Sequence, residues 1–128
     1  MTHTRCTIGT TAYAVTIEAG NHTLTADEPP AHGGRDAGPA PFDLLLSGLG
    51  ACTAITLRMY AERKQWPVRK VAVDLRYRKE GDRGRVDRSI EVEGDLSAEQ
   101  RTRLAEIAEK TPVTLTVKAG VDIVTTVT

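Results

Sequence analysis

The sequence is poor in aromatic residues and carries no net charge. It has one Trp, one Phe and three Tyr in 128 residues, and its 17 Lys and Arg balance its 17 Asp and Glu. Proteins that bind nucleic acids use a positive surface to hold phosphates and aromatic rings to stack on bases. The composition therefore predicts no nucleic-acid partner, and it supplies no general positive field that would attract an anionic membrane surface.

Cysteine is also scarce, since Cys6 and Cys52 are the only two. Residues 1–11 contain no apolar segment like the centre of a signal peptide, so we expect a cytoplasmic protein. In that reducing compartment the two cysteines are expected to be free thiols. No His, Cys, Asp or Glu residues have metal-ligand spacing, and the GGRDAG segment lacks the preceding strand and the G-K-[ST] ending of a phosphate loop. We therefore expect no metal and no cofactor.

Long apolar runs are absent except between Asp43 and Arg58, and that run is shorter than the roughly 20 residues of a bilayer-spanning helix. It predicts a core helix over residues 42–64 and no membrane partner. Cys52 lies midway along this helix. Small residues occupy the same two turns: Ser47, Gly48, Gly50, Ala51 and Ala54. Because apolar residues fall on most faces of the helix, one side of it is expected to meet a partner subunit.

Alternating apolar and polar residues indicate several strands. The predicted strands are 13–17, 22–26, 71–77, 89–93, 113–117 and 121–127. Residues 1–11 are expected to form a frayed end or an edge strand. Two segments rich in Pro, Gly or charge are expected to be loops, over 27–41 and 79–85.

A second helix is predicted after Ser97, which forms an S-x-x-Q capping box with Gln100. This helix is expected to end at Thr111, because Pro112 follows. Since strands come in hairpins and do not alternate singly with helices, the predicted class is α+β in a single domain over 1–128.

Several motifs occur together in an order that is similar to the OsmC/Ohr family. They are GPAPFDLLLSGLGACT at the start of the long helix, EKTPV after the second helix, and HTLTADEPP and GGRDAGP upstream. The resemblance covers nearly the whole chain from Tyr13 onward. It implies an OsmC-like fold with an antiparallel sheet, a long buried central helix and a second helix. It also implies an intertwined homodimer with the central helices at the subunit interface.

The resemblance implies thiol chemistry at Cys52. In peroxidases of this family, the cysteine of the central helix attacks a hydroperoxide as a thiolate and becomes a sulfenic acid. A second cysteine in a C-P motif then resolves it as a disulfide. Cys52 matches the attacking cysteine, but Thr111 occupies the resolving position, and a threonine cannot form a disulfide. The remaining candidates for this step are Cys6 and an external thiol.

Two further positions differ from the peroxidase branches, and the pattern is more similar to the OsmC-like branch. Phe42 replaces the glutamate that follows the G-x-x-P motif, with Asp43 one residue on, and His32 replaces a loop arginine. A thiol is a strong nucleophile only as a thiolate, and Cys52 lies too far from the helix N-terminus for the dipole to help. A cation is therefore required, and Arg35 or a partner-subunit arginine is the candidate.

Ordinary structural roles are the alternatives at these positions. Asp43 suits the first turn of a helix because a carboxylate there complements the dipole. His32 is an ordinary polar residue for a loop. Cys52 itself packs as a small core residue if it is not reactive.

Two functions are consistent with this pattern. The first is a thiol-dependent peroxidase of the oxidative stress response, with Cys52 as the peroxidatic thiol. Its expected partners are a second copy of the chain, a small hydroperoxide and a thiol reductant. The alternative is a catalytically reduced OsmC-like protein that binds a small apolar ligand at the dimer interface or senses redox state. The reactivity of Cys52 toward peroxide separates the two.

Overall fold

The computed structural model describes all residues from Met1 to Thr128 and contains two compact units, Met1–Leu45 and Leu46–Thr128. The elements in chain order are β1 (Thr4–Ile8), β2 (Val15–Ala19), β3 (His22–Ala26), α1 (Pro41–Lys64), β4 (Val68–Glu80), β5 (Arg83–Gly94), α2 (Ala98–Ala108) and α3 (Pro112–Ala119). A single 3-10 turn, Pro30–His32, lies between β3 and α1. Three helices and two antiparallel sheets confirm the α+β class.

The first unit is built on a three-stranded antiparallel sheet in the order β1-β2-β3. Ile17 in the middle strand pairs with Cys6 on one side and Leu24 on the other. Gly20 adopts a left-handed conformation with φ 59°, which a glycine reaches without steric cost and which forms the β2–β3 turn. The predicted hairpin is confirmed, and residues 4–8 form an edge strand.

The second unit contains a long hairpin of β4 and β5. Val71 pairs with Val92 and Val73 with Ile90, so the alternating apolar residues of the two strands share one face. This confirms both predicted strands and extends them well beyond their predicted ends.

The charged loop predicted over 79–85 is wrong in its extent, because the turn consists of Gly81 and Asp82 alone. The strands continue to the turn since their charged residues pair with one another. Arg78 lies 2.6 Å from Asp87 on the opposite strand. Arg85 lies 2.8 Å from the same carboxylate. Opposite charges on neighbouring strands stabilise a hairpin, so a run of charges here forms strands and not a loop.

A small apolar core lies between α1, the hairpin and α2. Leu57, Leu104 and Ala108 are almost fully buried at its centre. Partly buried residues surround them: Tyr60, Trp66, Val71, Ile90, Val92, Leu96 and Ile107. Gly50 of α1 lies against Leu75 of β4, where a Cβ atom would come within 2.8 Å of the leucine Cδ1. The glycine therefore lets α1 pack closely on β4 without displacing the Leu75 side chain.

Helix α2 begins at the predicted capping box. The Ser97 hydroxyl accepts a hydrogen bond from the Gln100 N–H at 3.1 Å, and the Gln100 side chain accepts one from the Ser97 N–H at 2.8 Å.

We expect Ser97→Ala to lower the free energy of unfolding by about 1 kcal/mol, because the hydrogen bonds of the capping box at the helix start are disrupted. Urea unfolding measures this change. Ser97→Asn, which retains a capping oxygen, is the control and should stay near the unmodified protein; an equal loss in both variants would contradict the prediction.

The two predicted C-terminal strands are wrong. Residues 113–117 belong to helix α3, and residues 121–128 have no regular secondary structure. The Thr111 side chain caps α3 by accepting a hydrogen bond from the Thr114 N–H, and Pro112 occupies the first helical position. These two local signals outweigh the β-branched residues of the segment. Residues 121–128 find no strand to pair with, and Val121, Ile123, Val124 and Val127 are exposed.

Helix α1 begins at Pro41, close to the predicted Phe42, and ends at Lys64 as predicted. The single chain buries one stripe of it: Leu49, Gly50, Thr53, Leu57 and Ala61. Ile55 and Met59, on another face, are more than half exposed. By length and composition alone α1 could cross a membrane. Core helices of soluble proteins meet the same criterion, so this is weak evidence.

Candidate functional site

Cys52 lies midway along α1 and is half-buried. Its neighbour in sequence, Thr53, is fully buried, so the helix turns one side chain toward the interior and leaves the thiol partly accessible. Cys6 is exposed on the edge strand β1. Both cysteines are free thiols, as predicted. They belong to different compact units.

A largely buried arginine that the sequence prediction missed, Arg88, makes four hydrogen bonds next to this position. Arg88 of β5 donates to the Thr53 hydroxyl at 3.0 Å and to the Thr114 hydroxyl at 2.8 Å. It also donates to the Ala108 carbonyl at 3.0 Å and to a Glu109 carboxylate oxygen at 2.8 Å. One guanidinium group thus connects α1, α2 and α3, and we call these five residues the Arg88 network.

One signal in the sequence does indicate Arg88. Val86, Arg88 and Ile90 are spaced by two residues, so the alternation of a strand places the arginine on the same face as two apolar residues. A charged residue at an inward position needs buried partners. The Arg88 side chain is 11% exposed, and its hydrogen-bond partners lie 20 to 35 positions away in the chain.

Thr111 completes the polar interior beside the Arg88 network. It is fully buried, and its hydroxyl lies 2.6 Å from that of Thr114. Thr114 in turn accepts a hydrogen bond from Arg88. The position that holds the resolving cysteine in related peroxidases therefore holds a helix-capping hydroxyl here, and no thiol.

The carboxylate of Glu109 is held by two cations. Lys118 donates a hydrogen bond to it at 2.9 Å and Arg88 donates another at 2.8 Å. These hydrogen bonds, with the Lys118 contact the stronger influence, lower the pKa of Glu109 below its ordinary value. Glu109 is consequently ionised at neutral pH and offsets part of the positive charge of Arg88.

A cleft of about 630 Å³ opens between the end of the hairpin and α3. Its charged lining residues are Arg83, Asp87, Arg88, Glu109 and Lys118, and the rest of the lining is Leu49, Gly84, Val86, Thr114 and Val117. Cys52 does not line it. The cleft and the candidate thiol are therefore separate features of this unit.

In the first unit, the segment after β3 is ordered by one buried carboxylate. Asp27 accepts hydrogen bonds from the backbone N–H groups of Glu28 at 2.7 Å, Arg35 at 3.2 Å and Ala37 at 3.2 Å. Burial by itself raises the pKa of Asp27, but the three N–H groups outweigh it, and the net pKa is lowered. The segment predicted as a loop over 27–41 is thus tied together by hydrogen bonds; it contains the 3-10 turn Pro30–His32, and its last residue, Pro41, begins α1.

This hydrogen bonding makes the stability of the loop dependent on pH. Because the pKa of Asp27 is lower in the folded state, its contribution is complete above the ordinary aspartate pKa of about 3.9 and disappears as the pH falls through the lower, folded value. We expect Asp27→Asn to be less stable than the unmodified protein at pH 7, and this difference to shrink as the pH approaches 2. Urea unfolding across that range measures it. The exposed Asp36→Asn is the control; a constant difference at all pH values would contradict the prediction.

Two of the other predicted site residues of this unit, His32 and Asp43, contact local partners. His32 Nδ1 lies 3.3 Å from a Glu28 carboxylate oxygen at the surface. Asp43 accepts a hydrogen bond from the Ala40 N–H at 3.0 Å, in the first turn of α1. The side chains of Arg35 and Phe42 are exposed. Asp43 therefore occupies the helix-start position that its ordinary structural role requires.

Fold and site together define an α+β protein with a half-buried cysteine midway along a long central helix. The sequence profile of the family described as OsmC-like protein matches residues 33–126, well over half of the chain. The chain belongs to this family, and the resemblance seen in the sequence is confirmed.

Solved structures share the fold at low sequence identity. An OsmC-like protein from Mycoplasma pneumoniae superposes with a TM-score of 0.79 at 17% identity, over 92% of this chain and 87% of its own. The organic hydroperoxide resistance protein OsmC from Legionella pneumophila has a TM-score of 0.67 at 18% identity, with 95% and 92% covered. Bacillus subtilis OhrB has a TM-score of 0.63 at 19% identity, with 95% and 93% covered. No curated protein sequence matches.

Proposed function

We propose that this protein is a thiol-dependent peroxidase of the OsmC/Ohr type that reduces organic hydroperoxides in the cytoplasm. The observation that carries the proposal is Cys52, a half-buried free thiol at the centre of α1 in a chain of the OsmC-like family. Two structures with the same fold, from Legionella pneumophila and Bacillus subtilis, are described as organic hydroperoxide resistance proteins, which supports this substrate class.

The proposed reaction has two stages. The Cys52 thiolate attacks one peroxide oxygen, an S–O bond forms, the O–O bond breaks, and the departing alkoxide takes up a proton to become an alcohol. Cys52 is then a sulfenic acid, oxidised by two electrons. An external thiol condenses with it, water leaves, and a second thiol reduces the mixed disulfide. No metal or cofactor enters this cycle.

Cysteine resolution is the step in which this chain departs from related peroxidases. Thr111 is fully buried and its hydroxyl is hydrogen-bonded to that of Thr114, so this position supplies no sulfur. Cys6 is exposed on β1, where it is open to other thiols. We propose an external small-molecule or protein thiol as the reductant, with Cys6 as the alternative resolving residue. Arg35 is proposed as the cation that favours the Cys52 thiolate.

The functional form is proposed to be a homodimer. Each compact unit exposes large apolar side chains: Phe42 and Leu45 in the first, and Ile55 and Met59 in the second. The C-terminal segment 121–128 adds four exposed apolar residues. Water-exposed apolar surface of this extent favours association. A second copy that covers α1 would also limit solvent access to the peroxide site.

Stopped-flow oxidation of the reduced protein by cumene hydroperoxide tests the proposal. We expect Cys52 to react orders of magnitude faster than free glutathione, and mass spectrometry to find one added oxygen on Cys52. Cys52→Ser should abolish the fast reaction. Cys6→Ser should leave the first oxidation step unchanged. If Cys6 is the resolving residue, the sulfenic acid on Cys52 should live longer in this variant than in the unmodified protein.

A second function is favoured by three substitutions at positions where family peroxidases hold catalytic groups: Thr111, Phe42 and His32. In this alternative the protein binds a small apolar ligand at the dimer interface or senses redox state without turnover. Oxidation of Cys52 no faster than that of glutathione would rule out the peroxidase and leave this alternative.

A further inference from the structure

The cleft beside α3 has a volume within the range of small-ligand sites in proteins, which is about 300–1,000 Å³. Its walls come from the end of the β4–β5 hairpin and from α3, and Leu49 of α1 contributes an apolar side chain. The proposed peroxidase reaction uses no residue that lines it.

The charges of the cleft leave one cation unpaired. Three cations and two carboxylates line it, which is an excess of one positive charge. Asp87 is paired with Arg78 and Arg85, outside the cleft lining. Glu109 is paired with Arg88 and Lys118. Arg83, exposed at the hairpin turn, makes no ion pair with any carboxylate.

The cations of the cleft also differ in how firmly they are held. Arg88 is fixed by its four hydrogen bonds and cannot turn toward a ligand without breaking them. Arg83 is exposed at the cleft and is not part of such a network. A guanidinium group presents paired N–H donors whose spacing matches the two oxygens of a carboxylate. Arg83 is therefore the residue available to bind an incoming anion.

Three of the uncharged lining residues are apolar. Val86 on β5, Val117 on α3 and Leu49 on α1 border the cleft. Val117 is 44% exposed, so a ligand can cover it and remove apolar surface from water. A purely inorganic ion would leave these side chains uncovered.

The geometry points to this cleft as a binding site for a small organic monocarboxylate with a short apolar tail. The carboxylate binds Arg83 at the mouth, and the tail covers Val86 and Val117. Arg83 is the one lining cation outside the ion pairs, and a single guanidinium group binds a single carboxylate. This site goes beyond the proposed peroxidase and does not depend on it, because Cys52 is not part of the lining.

An NMR titration of ¹⁵N-labelled protein tests the site with three probes: hexanoate, 1-hexanol and acetate. We expect hexanoate to cause saturable shifts of the Gly84 and Val117 amide signals. Hexanol has the tail without the charge and acetate has the charge without the tail, so each should bind at least several-fold more weakly. Arg83→Gln should weaken hexanoate binding about tenfold, because a charge-assisted hydrogen bond is worth about one power of ten in affinity.

Two variants complete the test. Arg76→Gln, which alters another exposed arginine, on β4 and outside the cleft, should leave hexanoate binding unchanged. Val117→Asp should abolish it by placing a negative charge beside the carboxylate. No saturable shift with hexanoate, equal binding of hexanol, or unchanged affinity in Arg83→Gln would each overturn the assignment. The titration is repeated with Cys52→Ser, so failure of the peroxidase and failure of this site give different results.

Discussion

Arg88→Met is expected to lower the free energy of unfolding by about 2–3 kcal/mol, since hydrogen bonds made by a charged group contribute about that much when they are lost together in a buried site. The variant keeps an apolar chain of similar length, so the loss reports on the guanidinium and not on a cavity. In the variant the Thr53 hydroxyl still donates its hydrogen bond to the Leu49 carbonyl, at 2.7 Å, and this limits the loss of stability. Urea unfolding followed by circular dichroism measures the change.

Arg76→Met is the matched control for this prediction. Arg76 lies 3.4 Å from Asp74 on the surface, where both side chains are more than two-thirds exposed. Exposed ion pairs contribute about 0–1 kcal/mol, so little stability should be lost. Equal losses in Arg88→Met and Arg76→Met would show that the Arg88 network does not hold the three helices together.

Gly38→Ala is expected to have the second large effect, a loss of about 1–3 kcal/mol of the kind caused by overpacking. A Cβ atom at Gly38 would collide with the carbonyl of Thr25, which belongs to the backbone of β3 and cannot rotate away. The Asp27 N–H bonds to the Pro39 carbonyl at 3.2 Å next to this contact, so the displacement would reach the Asp27 loop. Thermal unfolding and the amide signals of residues 27–37 follow both effects.

Gly9→Ala provides the control within the same unit. A Cβ atom at Gly9 meets no other atom within 4 Å, so this variant should unfold within a degree or two of the unmodified protein. If Gly38→Ala were as stable as Gly9→Ala, the segment before α1 would not be packed against β3 in solution.

Local signals in the sequence were sufficient for the elements whose causes are local. The capping box at Ser97 and the helix between Pro41 and Lys64 follow from residues a few positions apart. The hairpin turn was misjudged because a run of charges resembles a loop until the opposite strand supplies its counter-charges. Helix α3 was misjudged because its β-branched residues favour a strand, whereas Thr111 and Pro112 favour a helix start.

In the candidate site, too, features with local causes were predicted and features that depend on distant residues were missed. Cys52 was found from the family motif, and Asp43 was correctly given an ordinary role at the start of a helix. Arg88 was missed because its partners are 20 to 35 residues away, and only the folded chain brings them together. The cleft was missed for a similar reason, since its walls come from a hairpin end and from a helix that was predicted as a strand.

The helix cap at Thr111 has a consequence for the evolutionary history of the protein. A single change to cysteine would restore the sulfur that related peroxidases carry, but it would remove the hydroxyl that caps α3 and bonds to Thr114. Weaker capping by a thiol would leave the Thr114 N–H and hydroxyl less well satisfied in a buried setting. Regaining a thiol at position 111 would therefore require compensating substitutions around the start of α3.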